Sequence, residues 1–150
     1  MDKRLIEAVE LFEDVMVFGT DRVLKNVKAE VWQEYSPEQI QVLKLVNKNG
    51  PIAAGVIAEL QGVHKSAISN RLKKLEDKKL IEIVKAEEDQ RTKLVCLTDE
   101  GHRVVSESDQ AVYTYIEDLF ADHVKDEELD QFLSMFRKIK SILKLEGEKG

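Results

Sequence analysis

From His64 to Ile81 the chain reads HKSAISNRLKKLEDKKLI. Ile68, Leu72 and Leu75 recur at helical spacing and mark an inward face. Ser66, Ser69, Asn70 and Lys73 then share the opposite side, flanked by Lys65 and Lys74. Serine and asparagine side chains can hydrogen-bond to base edges, and asparagine matches adenine. Lysines neutralise phosphates. Small residues near the start of a helix allow close approach to a groove, and the helix N-terminus itself favours an anion. The chemistry these residue types offer is contact with a nucleic acid.

The charge distribution sharpens that reading. The 150-residue chain has a formal net charge of −6, yet residues 64–85 carry +4, so the remainder carries −10. A compact basic patch on an acidic body is a local electrostatic footprint. The net acidity argues against sequence-independent binding to nucleic acid. A solvated helix face would explain the charge taken alone, so the surrounding elements decide.

Those elements are legible. "IAAGVIAELQGV" predicts a short helix with Val56, Ile57 and Leu60 inward and Gly62 at the turn, leading into a helix from Lys65 to about Asp77. "LIEIV" and "TKLVCL" predict two strands around the polar turn "KAEEDQR", a hairpin that carries Asp89, Arg91 and Lys93. A helix-turn-helix followed by a hairpin is a winged-helix arrangement. Upstream, Ser36, Pro37 and Gln39 form a helix start with a capping box. Ile40, Leu43 and Val46 line that helix's inner side, and Asn49, Gly50 and Pro51 end it. The first helix is expected to run unbroken from about Leu5 to Trp32. Thr98 caps another over "TDEGHRVVSESDQAVYTYIEDLF", and a last one spans about Glu127 to Leu145 before the frayed tail "EGEKG".

The terminal helices hold more apolar positions than a small winged lobe can cover. Leu5, Val9 and Phe12 recur along the first, and Leu129, Phe132, Phe136, Ile139 and Leu143 along the last. The expectation is a mainly α (α+β) chain with a two-stranded wing. Residues 36–97 form the winged helix-turn-helix, and residues 1–35 and 98–150 form a helical dimerisation region.

The segment "GVHKSAISNRLKKLEDKKLIE…EEDQRTKLVCLTDEG" resembles the MarR family of transcriptional regulators, and the resemblance extends over nearly the whole chain. The wing has the family's Asp-x-Arg signature at Asp89 and Arg91, followed by the typical "LTDEG". The resemblance implies a homodimer whose terminal helices interlock, with two winged lobes reading a pseudo-palindromic operator in double-stranded DNA. The helix at Lys65–Asp77 would enter the major groove, and Arg91, steadied by Asp89, the minor groove. It also implies a repressor released by a small-molecule effector. The chain departs from the family in having Gln90 at the middle of the wing, His64 at the helix cap, and Lys79 where glycine is common before "LI".

Other chemistry is thin. No nucleophile motif, phosphate-binding glycine loop or acid/base pair points to an enzyme. His64, His102 and His123 lack metal-ligand spacing, and neither a metal nor a cofactor is expected. The single cysteine, Cys96, reads as a small packed hydrophobe and suits a reducing compartment. No run approaches the ~18 apolar residues of a membrane span, and no signal peptide is recognisable, so the expected location is cytoplasmic. Phe18, Trp32, Tyr113 and Tyr115 stand on helices that family members use to line an effector cavity. Ordinary packing explains them equally well, and the sequence identifies no effector. Two rival functions are a winged helix that docks proteins and a nonspecific architectural DNA binder. A charged Asp-x-Arg tip argues against the first and the net acidity against the second.

Overall fold

The computed structural model describes residues 1–89 and 91–149, with side chains described as far as residue 144. The chain divides into two compact units, Met1–Val112 and Tyr113–Gly150.

In the first unit the helices are α1 (Lys3–Asn26), α2 (Val31–Glu34), α3 (Pro37–Asn49), α4 (Ala54–Gln61) and α5 (Lys65–Asp77). The strands are β1 (Ile52–Ala53), β2 (Ile81–Lys85) and β3 (Lys93–Leu97), and α6 (Asp99–Phe120) begins here. The sheet is antiparallel in the order β1-β3-β2. The expected hairpin is present, and β1 adds a third strand to it by pairing Ile52 with Val95.

One apolar core joins α2, α3, α4, α5, the sheet and the start of α6. Leu43, Ile57, Leu75 and Leu80 are fully buried in it, beside Val31, Ile68, Leu72, Ile81, Val95 and Val104. Burying each such side chain contributes about 1.5–3 kcal/mol. The core therefore holds the helix-turn-helix and the wing as one body, and it recruits Val31, Val104 and Val105 from outside residues 36–97.

Local chemistry explains the boundaries. The Ser36 hydroxyl accepts from the Gln39 backbone N–H, and the Gln39 side chain accepts from the Ser36 N–H, completing the expected capping box with Pro37 at the first helical position. Thr98 caps α6 by accepting from the Gly101 N–H at 3.1 Å.

Two expectations fail. The first helix does not reach Trp32: α1 ends at Asn26, and Val27 is extended at φ −85°, ψ 125°. None of α1's residues is buried, whereas Val27 and Val31 are. A continuous helix would have kept both valines in line with α1's exposed stripe; the break turns them into the core. On α4, Val56 and Leu60 point outward at 43% and 57% exposure, and Ile57 and Ala58 are the buried residues. An eight-residue helix wedged between neighbours buries only one narrow strip, and that strip follows Ile57.

The second unit holds the end of α6 and α7 (Asp126–Lys149), which runs past the expected end at Leu145. The Lys125 N–H donates to the Glu128 carboxylate at 3.0 Å, and Asp126 and Glu127 add negative charge at the helix start. Phe132 and Phe136 stack one turn apart with ring centroids separated by 4.2 Å.

Candidate nucleic-acid interface

The turn between α4 and α5 rests on Gly62, which adopts the left-handed conformation at φ 66°, ψ 34°. Its N–H reaches the Glu59 carbonyl, and the Val63 N–H reaches Ala58 at 3.1 Å, so α4 ends in a Schellman motif. Two residues later α5 begins. Its N-cap, His64, makes no side-chain cap hydrogen bond. The Ala67 N–H donates to the His64 carbonyl at 3.1 Å, which leaves the Lys65 and Ser66 amides as the uncapped donors at the start of α5.

Ile68, Leu72 and Leu75 anchor α5 in the core. Lys65, Ser66, Ser69, Asn70, Lys73 and Lys74 are all exposed, as the spacing predicts. Among the described residues, none of their side chains has a hydrogen-bond or ion-pair partner. Arg71, half-buried on the same helix, instead donates to Gln61 on α4 at 3.3 Å and ties the two helices together. The helix thus presents an unencumbered polar face with cations along its flanks.

The wing is the second part. Ala86 and Thr92 close the hairpin by a 2.9 Å backbone bond. The Asp89 carboxylate accepts from the Arg91 backbone N–H at 3.0 Å and from the Thr92 hydroxyl at 3.2 Å. Asp89 therefore holds the tip through its backbone in an Asx turn, rather than by gripping the Arg91 guanidinium. A carboxylate two residues upstream of an N–H meets it within one tight turn, while the longer arginine side chain extends into solvent. Arg91 is exposed. Gln90, the departure from the wing pattern, lies outside the described residues.

Lys85 faces Lys93 directly across the β2–β3 ladder, and both are exposed. Like charges opposite one another destabilise a hairpin, and an approaching polyanion removes that repulsion. Lys85 counts toward the positive charge of residues 64–85 but is not among the contact residues expected from the sequence. Its position mirrors Lys93 about the turn, a signal that becomes readable only once the register is known.

Elsewhere the expected residues fall as follows. Leu5, Val9 and Phe12 on α1 are 50–60% exposed, and on α7 Leu129, Phe132, Phe136, Ile139 and Leu143 are exposed as well. Phe18 and Tyr113 are exposed, whereas Trp32 turns inward and donates to Ser108 at 2.8 Å. Cys96 is half-buried on β3. No group of histidine, cysteine and acidic residues among the described residues has the arrangement of a metal site. No helix among them is long and apolar enough to cross a membrane.

A helix-turn-helix whose second helix offers a free polar face, followed by a hairpin that exposes Lys85, Arg91 and Lys93, defines a winged-helix DNA-binding protein. The MarR family profile matches residues 35–92. The chain is 36% identical over 145 residues, 95% of each chain, to YdgG of Bacillus subtilis, an uncharacterized HTH-type transcriptional regulator. The structure of a MarR family protein from Bacillus stearothermophilus superposes with a TM-score of 0.78 at 17% identity, covering 96% of this chain and 99% of that one. Staphylococcus aureus MarR, in complex with salicylate and kanamycin, superposes with a TM-score of 0.71 at 19% identity, covering 94% and 95%. The chain belongs to the MarR family of DNA-binding transcriptional regulators.

Proposed function

We propose that the protein is a cytoplasmic homodimeric repressor that holds a pseudo-palindromic operator and releases it when a small anionic or aromatic ligand binds. The observation that carries the DNA-reading part is the exposed, unpartnered polar face of α5. Ser66, Ser69 and Asn70 read base edges in the major groove. Lys65, Lys73 and Lys74 neutralise phosphates, aided by Lys93 at the wing. Arg91 enters the adjacent minor groove, with Asp89 shaping the tip.

Dimerisation is supported by the apolar residues that each terminal helix leaves exposed, Leu5, Val9 and Phe12 on α1 and Phe132, Phe136 and Ile139 on α7. Isolated surface hydrophobics are ordinary, but contiguous helical stripes of this kind mark interaction sites. Release by a ligand is supported by the structural relative from Staphylococcus aureus, which holds salicylate and kanamycin.

Selection from a random duplex pool tests the reading. The expected product is an inverted repeat with half-sites about one helical turn apart, ~34 Å, whose complex salicylate weakens. Recovery of no enriched sequence, or of a single asymmetric half-site, overturns it.

A further inference from the structure

The buried residues of α6 are confined to its first half: Gly101, Val104, Val105 and Ser108. Ser108, at 1% exposure, is the one buried polar residue among those described. Its hydroxyl accepts the Trp32 indole N–H at 2.8 Å, reaching back 76 residues to α2. The next residue, Asp109, accepts from the Lys44 ammonium on α3 at 2.8 Å, in a pair that is half-exposed. Successive residues on a helix project ~100° apart. The two bonds therefore pull on α6 in different directions and from different elements of the winged lobe.

We propose that Ser108 and Asp109 are positioning residues for DNA binding: they fix the winged lobe in rotation about α6, and so set the half-site spacing a dimer accepts. This rests on the dimeric reading above. Apolar contacts at Val104 and Val105 hold the lobe against α6 but have no preferred direction. Hydrogen bonds do have one. The pair also lies at the last buried turn of α6, where angular slack has most leverage. A shift of a reading helix along the duplex by only half of the ~3.4 Å rise per base pair would already misplace its side chains against the base edges they read.

The test uses full-length protein and three duplexes: the inverted repeat that the parent selects, the same repeat with one base pair inserted between its halves, and a single half-site. Ser108→Ala and Asp109→Ala are expected to bind the selected repeat about three- to tenfold more weakly, the range of one modest polar interaction. They should bind the half-site as the parent does and discriminate less against the lengthened repeat. The exchange Lys44→Asp with Asp109→Lys should restore both affinity and spacing discrimination. Should Ser108→Ala not fold, the half-exposed Asp109→Ala decides alone. Parallel losses on half-site and repeat, or spacing discrimination equal to the parent's, overturn the proposal. A parent that selects no inverted repeat overturns the dimeric reading, and the role of these residues with it.

Discussion

The Thr98 hydroxyl donates to the backbone carbonyl of Lys79 at 2.7 Å, and Lys79 is the one non-glycine residue with positive φ, 61°, among the described residues. The contact ties the end of α5 to the start of α6. The Leu80 N–H reaches the Leu75 carbonyl at 3.0 Å, the Thr98 N–H reaches Leu80 at 3.1 Å, and the same Thr98 oxygen caps α6. Lys79 thus occupies the left-handed position of a Schellman turn, where a β-carbon is strained.

Lys79→Gly should relieve that strain and raise stability by up to about 1 kcal/mol, since the gain is partly offset by glycine's greater freedom in the unfolded chain. Thr98→Ala should lower it by about 1–2 kcal/mol through loss of a cap and a tether. Urea unfolding of both variants checks the pair. A less stable Lys79→Gly would mean that the side chain contributes more than its backbone costs.

Gly101 meets the Leu80 carbonyl so closely that a β-carbon built on it would lie 2.2 Å from that oxygen. Gly101→Ala should therefore push α6 away from the end of α5 and cost about 1–3 kcal/mol or more. Thermal melting reads this directly. A parent-like midpoint would mean that the helices separate freely there.

Arg91→Ala should leave folding untouched and lose about 1–3 kcal/mol of operator binding, a loss that shrinks as salt rises. Asp89→Ala should weaken binding less, because the arginine charge remains while the tip loosens. Asp89→Asn separates the two roles open to this residue. Its amide oxygen still accepts the Arg91 N–H, so it should bind at least as well as the parent. If Asp89→Asn behaves like Asp89→Ala, the carboxylate charge and not the turn is what the wing needs.

On α5 the same titrations should divide reading from holding. Asn70→Ala or Ser69→Ala should relax preference at particular base pairs. Lys74→Ala should weaken all duplexes alike and flatten the salt dependence by about one phosphate contact. Equal loss of discrimination from all three variants would place α5 differently in the groove.

Phe136→Glu combined with Ile139→Glu should produce monomers or insoluble protein. Both side chains are about 40% exposed in the single chain, and buried charge at an interface is strongly unfavourable. Sedimentation decides, and a stable dimer of the double variant would move the interface away from α7.

The parts of the fold that announce themselves in sequence are those with local chemistry. Ser36-Pro37-Gln39, Gly62 and Thr98 each stop or start a helix by satisfying nearby backbone groups. The alternation around "KAEEDQR" marks the wing for a similar reason. What stayed hidden depends on distant partners. Nothing at Val27 breaks a helix by local chemistry, and beyond the break Val31 joins a core built from elements far along the chain. Val56 and Leu60 look like core residues until α4 is placed. The exposed polar face of α5 was legible because periodicity alone separates Ser69 and Asn70 from Leu72. The part played by Asp89 was not, because the carboxylate had two acceptable donors and spacing does not choose between them.

The exposed face of α5 has one more consequence, for how such a protein diverges. Ser66, Ser69 and Asn70 are exposed and have no side-chain hydrogen-bond partner among the described residues, while Ile68, Leu72 and Leu75 in the core and the Arg71–Gln61 bond hold the helix in place. Exchanges at the three outer positions, glycine and proline aside, therefore change stability by about 0.5 kcal/mol or less as a rule. A gene copy can accumulate them without passing through an unfolded intermediate. On the proposed reading of α5, the target sequence is free to drift while the scaffold stands still, so duplicated regulators on this frame can part company in the genes they govern one residue at a time.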